Sequence, residues 1–204
     1  MKKNIQFFVV SYIVFLVLSV SCISNCGPHP NKSKITAFYI AAKEINYTPV
    51  VMNEAPISGN SVIYNKYGIR IVPEVEGYYG VNYKTPFNFL ESAYACSFVI
   101  PPAEDKIQDM EITSTTNYNT DFLTGVELKN LFDVIVKQLN GDIKYDLATY
   151  LATNPKINET GMTLVLKEAP ETTASFEFRV KIYLEGEGID MYEFTTSSIE
   201  IRIN

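Results

Sequence analysis

Between residues 176 and 184 every second side chain is apolar: Phe176, Phe178, Val180, Ile182 and Leu184 alternate with Glu177, Arg179, Lys181 and Tyr183. Successive side chains of a strand point to opposite faces, so this period of two dictates a strand with one face in a core and one in water. Gly186 and Gly188 mark a turn, after which residues 190–203 return through Tyr192, Phe194, Ile199, Ile201 and Ile203. The pattern predicts a C-terminal antiparallel hairpin. Met162, Leu164 and Leu166 alternate ahead of Pro170 and predict a strand lying beside that hairpin or across from it.

The same theme recurs less regularly upstream, with strand candidates at 34–45, 61–65, 68–76, 92–100 and 107–114. Pro73 interrupts the third of these. A proline donates no ladder hydrogen bond, so its strand is expected at a sheet edge or at a bulge. Turn residues separate the candidates: Ser58-Gly59-Asn60, Tyr67-Gly68, Gly77 with Gly80, and Pro101-Pro102. Seven or eight short strands spaced this way predict a mainly β fold, an antiparallel two-sheet sandwich, with one or two short helices.

One insertion breaks the β pattern. Thr124-Gly125-Val126-Glu127 has the form of a helix capping box, followed by Leu128, Leu131, Phe132, Ile135 and Leu139 at helical spacing. Val134-Ile135-Val136 is β-branched and equally predicts a short strand after one helical turn at 127–132. A second helical turn is predicted at 146–152, with Leu147, Tyr150 and Leu151 on one side and Asn154-Pro155 ending it.

The start of the chain is of another kind. Met1-Lys2-Lys3 precedes an uncharged apolar run at 5–21 that ends at Ser19-Val20-Ser21-Cys22. A charged start, an apolar run and a small-residue exit define an export signal, and a cysteine directly after small residues is what a lipoprotein signal peptidase cuts before. Residues 1–21 are therefore expected to be a lipoprotein signal peptide and Cys22 the lipidated N-terminus, the alternatives being an ordinary secretory signal cut near Ser21 or an uncleaved anchor. Ser19 stands where the commonest lipobox has leucine. Residues 22–33 carry Gly27, Pro28 and Pro30 with little apolar content and read as a flexible tether, which leaves 34–204 as a single domain. With Cys22 acylated, Cys26 and Cys96 remain; outside the cytoplasm they form a disulfide if geometry permits, and otherwise stay as free thiols.

Charge and residue usage then exclude whole classes of function. Without Lys2 and Lys3 the body holds 15 basic residues against 23 acidic ones, a poor surface for nucleic acid, which needs clustered positive charge. The single histidine, His29, lies in the tether, so no histidine-dependent serine or cysteine triad is available to the domain. No nucleophile elbow, phosphate loop, zincin motif or dinucleotide fingerprint occurs. Carboxylate pairs such as Glu74 with Glu76, Glu104 with Asp105 and Glu185 with Glu187 read as solvated strand faces and turns. Asn117, Asn119 and Asp121 alternate in a loop but lack the glycine and closing glutamate of a calcium loop, and Cys26 with His29 is too small a ligand set for zinc, so no metal and no cofactor is expected.

The surface feature with most to offer is a run of tyrosines, Tyr64, Tyr67, Tyr78, Tyr79 and Tyr83, beside Gly77 and Gly80. Tyrosine carries an apolar body and a polar tip, the combination that stacks on sugars and fills protein interfaces, and also the one that suits half-buried strands. These five are the candidate ligand-binding residues.

The early cysteines before Gly27-Pro28, the central Tyr94-Ala95-Cys96, the stretch at 107–132 and the closing stretch at 176–203 together resemble a family of small Bacteroides-type lipoproteins of unknown function. The resemblance implies a lipid-anchored protein of a Gram-negative envelope, in the periplasm or at the outer membrane, with an immunoglobulin-like β-sandwich and no catalytic residues. The expected function is a non-catalytic interaction or accessory domain whose partners are the membrane, through the lipid, and a protein or glycan. A carbohydrate-binding lipoprotein using the 64–83 region and a pilin-like structural subunit are the two alternatives.

Overall fold

The alternation at the C-terminus becomes a hairpin in a computed structural model that describes residues 32–48, 51–78, 103–138, 140–157, 159–186 and 190–204, the side chain of Tyr78 excepted. Along the chain the strands are β1 (Lys32–Tyr47), β2 (Met52–Ala55), β3 (Ser61–Ile63), β4 (Tyr67–Tyr78), β5 (Lys106–Ser114), β6 (Phe132–Gln138) and β7 (Gly141–Asp146). One α-helix, α1 (Leu147–Leu151), precedes β8 (Met162–Leu166), β9 (Ala174–Phe176), β10 (Phe178–Glu185), β11 (Met191–Thr195) and β12 (Ile199–Arg202). They form a six-stranded sheet in the order β2-β1-β4-β8-β6-β7 and two three-stranded sheets, β11-β10-β5 and β3-β12-β9. The fold is mainly β, and every pairing is antiparallel except that of β3 with β12.

The hairpin spans both small sheets. Its first arm supplies β9 and β10, its second β11 and β12, and the pairing slips by one residue between Ile199↔Phe176 and Arg179↔Thr195. The break is a substitution of partners: the Glu177 carbonyl accepts from the Thr115 amide, and the Thr196 hydroxyl accepts from the Phe178 amide at 3.0 Å in place of a backbone carbonyl. The strand at 162–166 lies across from the hairpin, inside the six-stranded sheet.

In that sheet β4 is flanked by β1 along its length but by β8 only at residues 68–71. Pro73, paired with Phe38, falls past the last β8 partner, where no second neighbour needs its missing N–H. A bulge in β1 between Ile35 and Ala37 lies nearby. Strand β1 begins at Lys32, so the sheet claims the last two residues expected of the tether.

The insertion resolves as the shorter of its two expectations. A 3-10 turn at Lys129–Leu131 leads into β6, whose β-branched Val134, Ile135 and Val136 are buried between β7 and β8. Thr124 and Glu127 do not cap a helix, because the Glu127 carboxylate is taken by the amides of Ile112 and Lys129, both at 2.9 Å. The predicted turn at 146–152 is α1. Asp146 caps it by accepting from the Thr149 amide at 2.9 Å, and Lys167 reaches the same carboxylate at 2.7 Å. The bond from Lys167 and those from Thr149 hold this carboxyl at about 2.

One core joins the sheets. Ile69, Ile71, Leu164, Phe132 and Val134 from the six-stranded sheet pack with Ile112, Phe176, Phe178, Val180, Ile182 and Ile201 from the small ones. A smaller cluster of Ile45, Met52, Ile135 and Val165 sits on the opposite face of the large sheet. That face is closed because the sheet curls: Asp142 on the outermost strand β7 accepts from the Met52 amide with its carboxylate and from the Tyr47 hydroxyl with its carbonyl.

Candidate functional site

Of the five tyrosines, two have described side chains, and both pack on the core. Tyr67 opens β4 on the face it shares with Ile69 and Ile71; it is 0% exposed, with its ring 5.5 Å from that of Phe178. Its place among the ligand-binding candidates is therefore corrected: strand periodicity turns the ring inward. Tyr64, in a 3-10 turn at Tyr64–Lys66, is half-buried against the same core. Tyr78 ends β4, and Tyr79 and Tyr83 lie outside the described residues, as do Cys22, Cys26 and Cys96.

The Tyr67 hydroxyl is buried without a hydrogen-bond partner among the described residues. Burial pushes its pKa far up, and the Thr196 hydroxyl offsets this slightly from a position short of a formed bond. An unpaired buried hydroxyl costs on the order of 1–3 kcal/mol. Tyr67→Phe keeps the ring and removes the penalty, so it is expected to raise the unfolding free energy by about 1 kcal/mol. Urea denaturation checks this; a loss of similar size would show that the hydroxyl has a partner after all.

The carboxylate pairs separate. Glu74 and Glu76 are both exposed on β4, and Glu187 lies outside the described residues. Glu104 is exposed and meets Lys156 at 3.1 Å, whereas Asp105 is buried and accepts from the Ile35 amide at 2.8 Å. The Asn117 to Asp121 loop spends its oxygens on itself: Asn119 Oδ1 accepts from the amides of Asp121 and Phe122, and Asn117 Oδ1 accepts from the Thr124 amide and hydroxyl. Among the described residues no group of three or more His, Cys, Asp and Glu side chains is placed to hold a metal ion.

Two features were not singled out in the sequence. One is a charged cluster on the curled face of the large sheet. Arg70, 9% exposed, is 3.5 Å from Glu54, hydrogen-bonds the Thr163 hydroxyl at 3.3 Å and donates to the Thr160 carbonyl. Thr163 in turn donates to Glu54 at 3.0 Å, and Lys137 stands 3.8 Å from the same carboxylate. Each of the three guanidinium nitrogens thus has a protein oxygen beside it, which makes the cluster a structural network. Its signal was available: Arg70 sits between Ile69 and Ile71, so the period of two puts it on the face opposite the main core.

The other is an uncharged groove of about 470 Å³ between β1 and β11, lined by Phe38, Ile40, Ala41, Ala42, Phe194, Thr195, Thr196 and Ser197. No titratable side chain lines it. At one end the Tyr192 ring meets Phe38 edge-on at 5.0 Å, and its hydroxyl donates to the Ile35 carbonyl at 2.9 Å. The sequence marks Phe38, Ile40 and Phe194 only as strand residues, because alternation says which face a side chain takes and not which strand lies alongside.

No family model, no curated protein and no solved structure matches this chain.

Proposed function

We propose that the chain is a non-catalytic lipoprotein of the bacterial cell envelope, anchored by lipid at Cys22, whose body is an interaction or accessory domain. The observation that carries the reading is the groove between β1 and β11: its lining of apolar side chains and the Thr195, Thr196 and Ser197 hydroxyls holds no titratable group to serve as acid or base. A lining of this kind suits binding. The small-residue exit of the apolar run at 5–21, directly before Cys22, supports the anchor, and the resemblance to small Bacteroides-type lipoproteins supports an outer-membrane address. A core shared by the large sheet and the two small ones supports the finer architectural reading, a two-layer sandwich of immunoglobulin-like kind.

The experiment is the intact mass of the protein isolated from its native membrane, with and without reduction and alkylation. A chain beginning at Cys22 with added acyl mass, and two thiols that alkylate only after reduction, is the expected result and would also establish a Cys26 to Cys96 bridge. A chain without lipid sinks the envelope anchor, and free thiols sink the bridge alone.

A further inference from the structure

We infer that Asn140-Gly141 is a self-modifying site, at which the folded chain converts asparagine to aspartate and isoaspartate and so loosens the contact between β7 and β2. Asparagine is a chemically labile residue, most of all before glycine, and the sequence holds a single Asn-Gly pair. The fold puts that pair in the connection from β6 to β7. Gln138 is paired with Gly141, so the turn is tight, and Asn140 is exposed to water. Gly141 has a φ of 122°, a backbone conformation that residues with a side chain rarely adopt. The turn therefore demands, directly after an exposed asparagine, the one residue without a Cβ to shield its nitrogen.

The reaction needs only base and water. The Gly141 nitrogen gives up its proton and bonds to Asn140 Cγ; the Cγ–Nδ2 bond breaks, ammonia leaves, and a cyclic imide remains. Water then opens the ring at either carbonyl. Addition at Cγ gives aspartate, whereas addition at the main-chain carbonyl leaves the chain running through Cγ, which is isoaspartate. Both products carry a carboxylate where a neutral amide stood, and isoaspartate also adds a methylene to the main chain beside the Gln138↔Gly141 pair. The next residue, Asp142, is what the change disturbs. Its carboxylate accepts from the Met52 amide and its carbonyl from the Tyr47 hydroxyl. These bonds tie together β2 and β7, the two outer strands of the large sheet, which share no ladder. A lengthened turn shifts Asp142 against β6, and the new negative charge repels its carboxylate.

The test is peptide mapping of the full chain during incubation at mildly alkaline pH in heavy-oxygen water without ammonium, both folded and unfolded in urea. In the folded chain the peptide spanning Asn140 is expected to take up heavy oxygen and to contain isoaspartate. It is expected to do so about tenfold faster than the peptide spanning Asn60, which is also exposed but precedes serine. The rate is expected to rise with pH, because the attacking nitrogen must be deprotonated. Hydrogen exchange of the aged chain is expected to be about tenfold faster at the Met52 amide and unchanged at 107–112 in β5. Asn140→Gln, whose longer side chain closes the ring poorly, is expected to block both changes. Conversion of Asn140 only in urea overturns the inference, since the folded turn would then hold the nitrogen away from Cγ. Conversion without faster exchange at Met52 overturns it as well, as does equally faster exchange in aged Asn140→Gln.

Discussion

Phe178→Ala is expected to lower the unfolding free energy by about 4 kcal/mol, the largest effect of any single truncation proposed for this chain. Phe178 is 0% exposed and is the meeting point of four strands. Its ring lies 5.6 Å from Phe132 of β6 at a right angle, 5.5 Å from Tyr67 of β4, and stacks on Phe176 of β9 at 6.1 Å. Two of these neighbours belong to the large sheet and one to a small sheet, so the ring fills the seam between them. Its amide and carbonyl are engaged by the side chain and backbone of Thr196, which the substitution leaves in place; the loss is then a cavity that anchored rings cannot collapse into. Phe178→Leu, keeping most of the volume, is expected to cost under about 1.5 kcal/mol. Urea midpoints of both variants measure the difference. A cost near 1 kcal/mol for the alanine variant would mean that the sheets do not share one core.

What could be read in the sequence was periodicity, and what could not was adjacency. The facing of Phe178, Val180, Ile182, Ile69, Ile71, Leu164 and Leu166 follows from a period of two, and all are buried as that period demands. The helical turn at 146–152 was legible because the spacing of Leu147, Tyr150 and Leu151 and the stop at Asn154-Pro155 are local signals. The hairpin was legible as a hairpin but not as two sheets, since the break depends on Thr196 reaching Phe178 and on Thr115 reaching Glu177. Tyr67 was drawn into a surface patch by its neighbours in sequence, although its own strand placed it with Ile69 and Ile71. The groove and the partners of Arg70 were illegible for one reason, although the face that Arg70 takes was not. Both depend on which strand stands beside which, and long-range pairing leaves no mark on either partner alone.

Glu54→Ala is expected to cost about 3 kcal/mol, because it strands a buried cation. Glu54 stands on β2, at one outer edge of the large sheet, and accepts from the Thr163 hydroxyl while facing Arg70 at 3.5 Å; both charged side chains are largely covered. Among the described residues, removing the carboxylate leaves Arg70 with only Thr160 and Thr163 as acceptors and leaves the Thr163 hydroxyl without its own, while Lys137 loses the charge it leans toward. An exposed ion pair would behave differently, contributing at most about 1 kcal/mol and fading with salt. The cost here is expected to persist in high salt. Arg70→Met placed in the Glu54→Ala background removes the stranded charge and is expected to return much of the lost stability, so the two substitutions are strongly non-additive. A double-mutant cycle in urea at low and high salt reads both quantities. Additive costs would mean that Arg70 and Glu54 are not coupled, and the curl that brings β2 over Ile135 and Val165 would then rest on Asp142 and the apolar cluster alone.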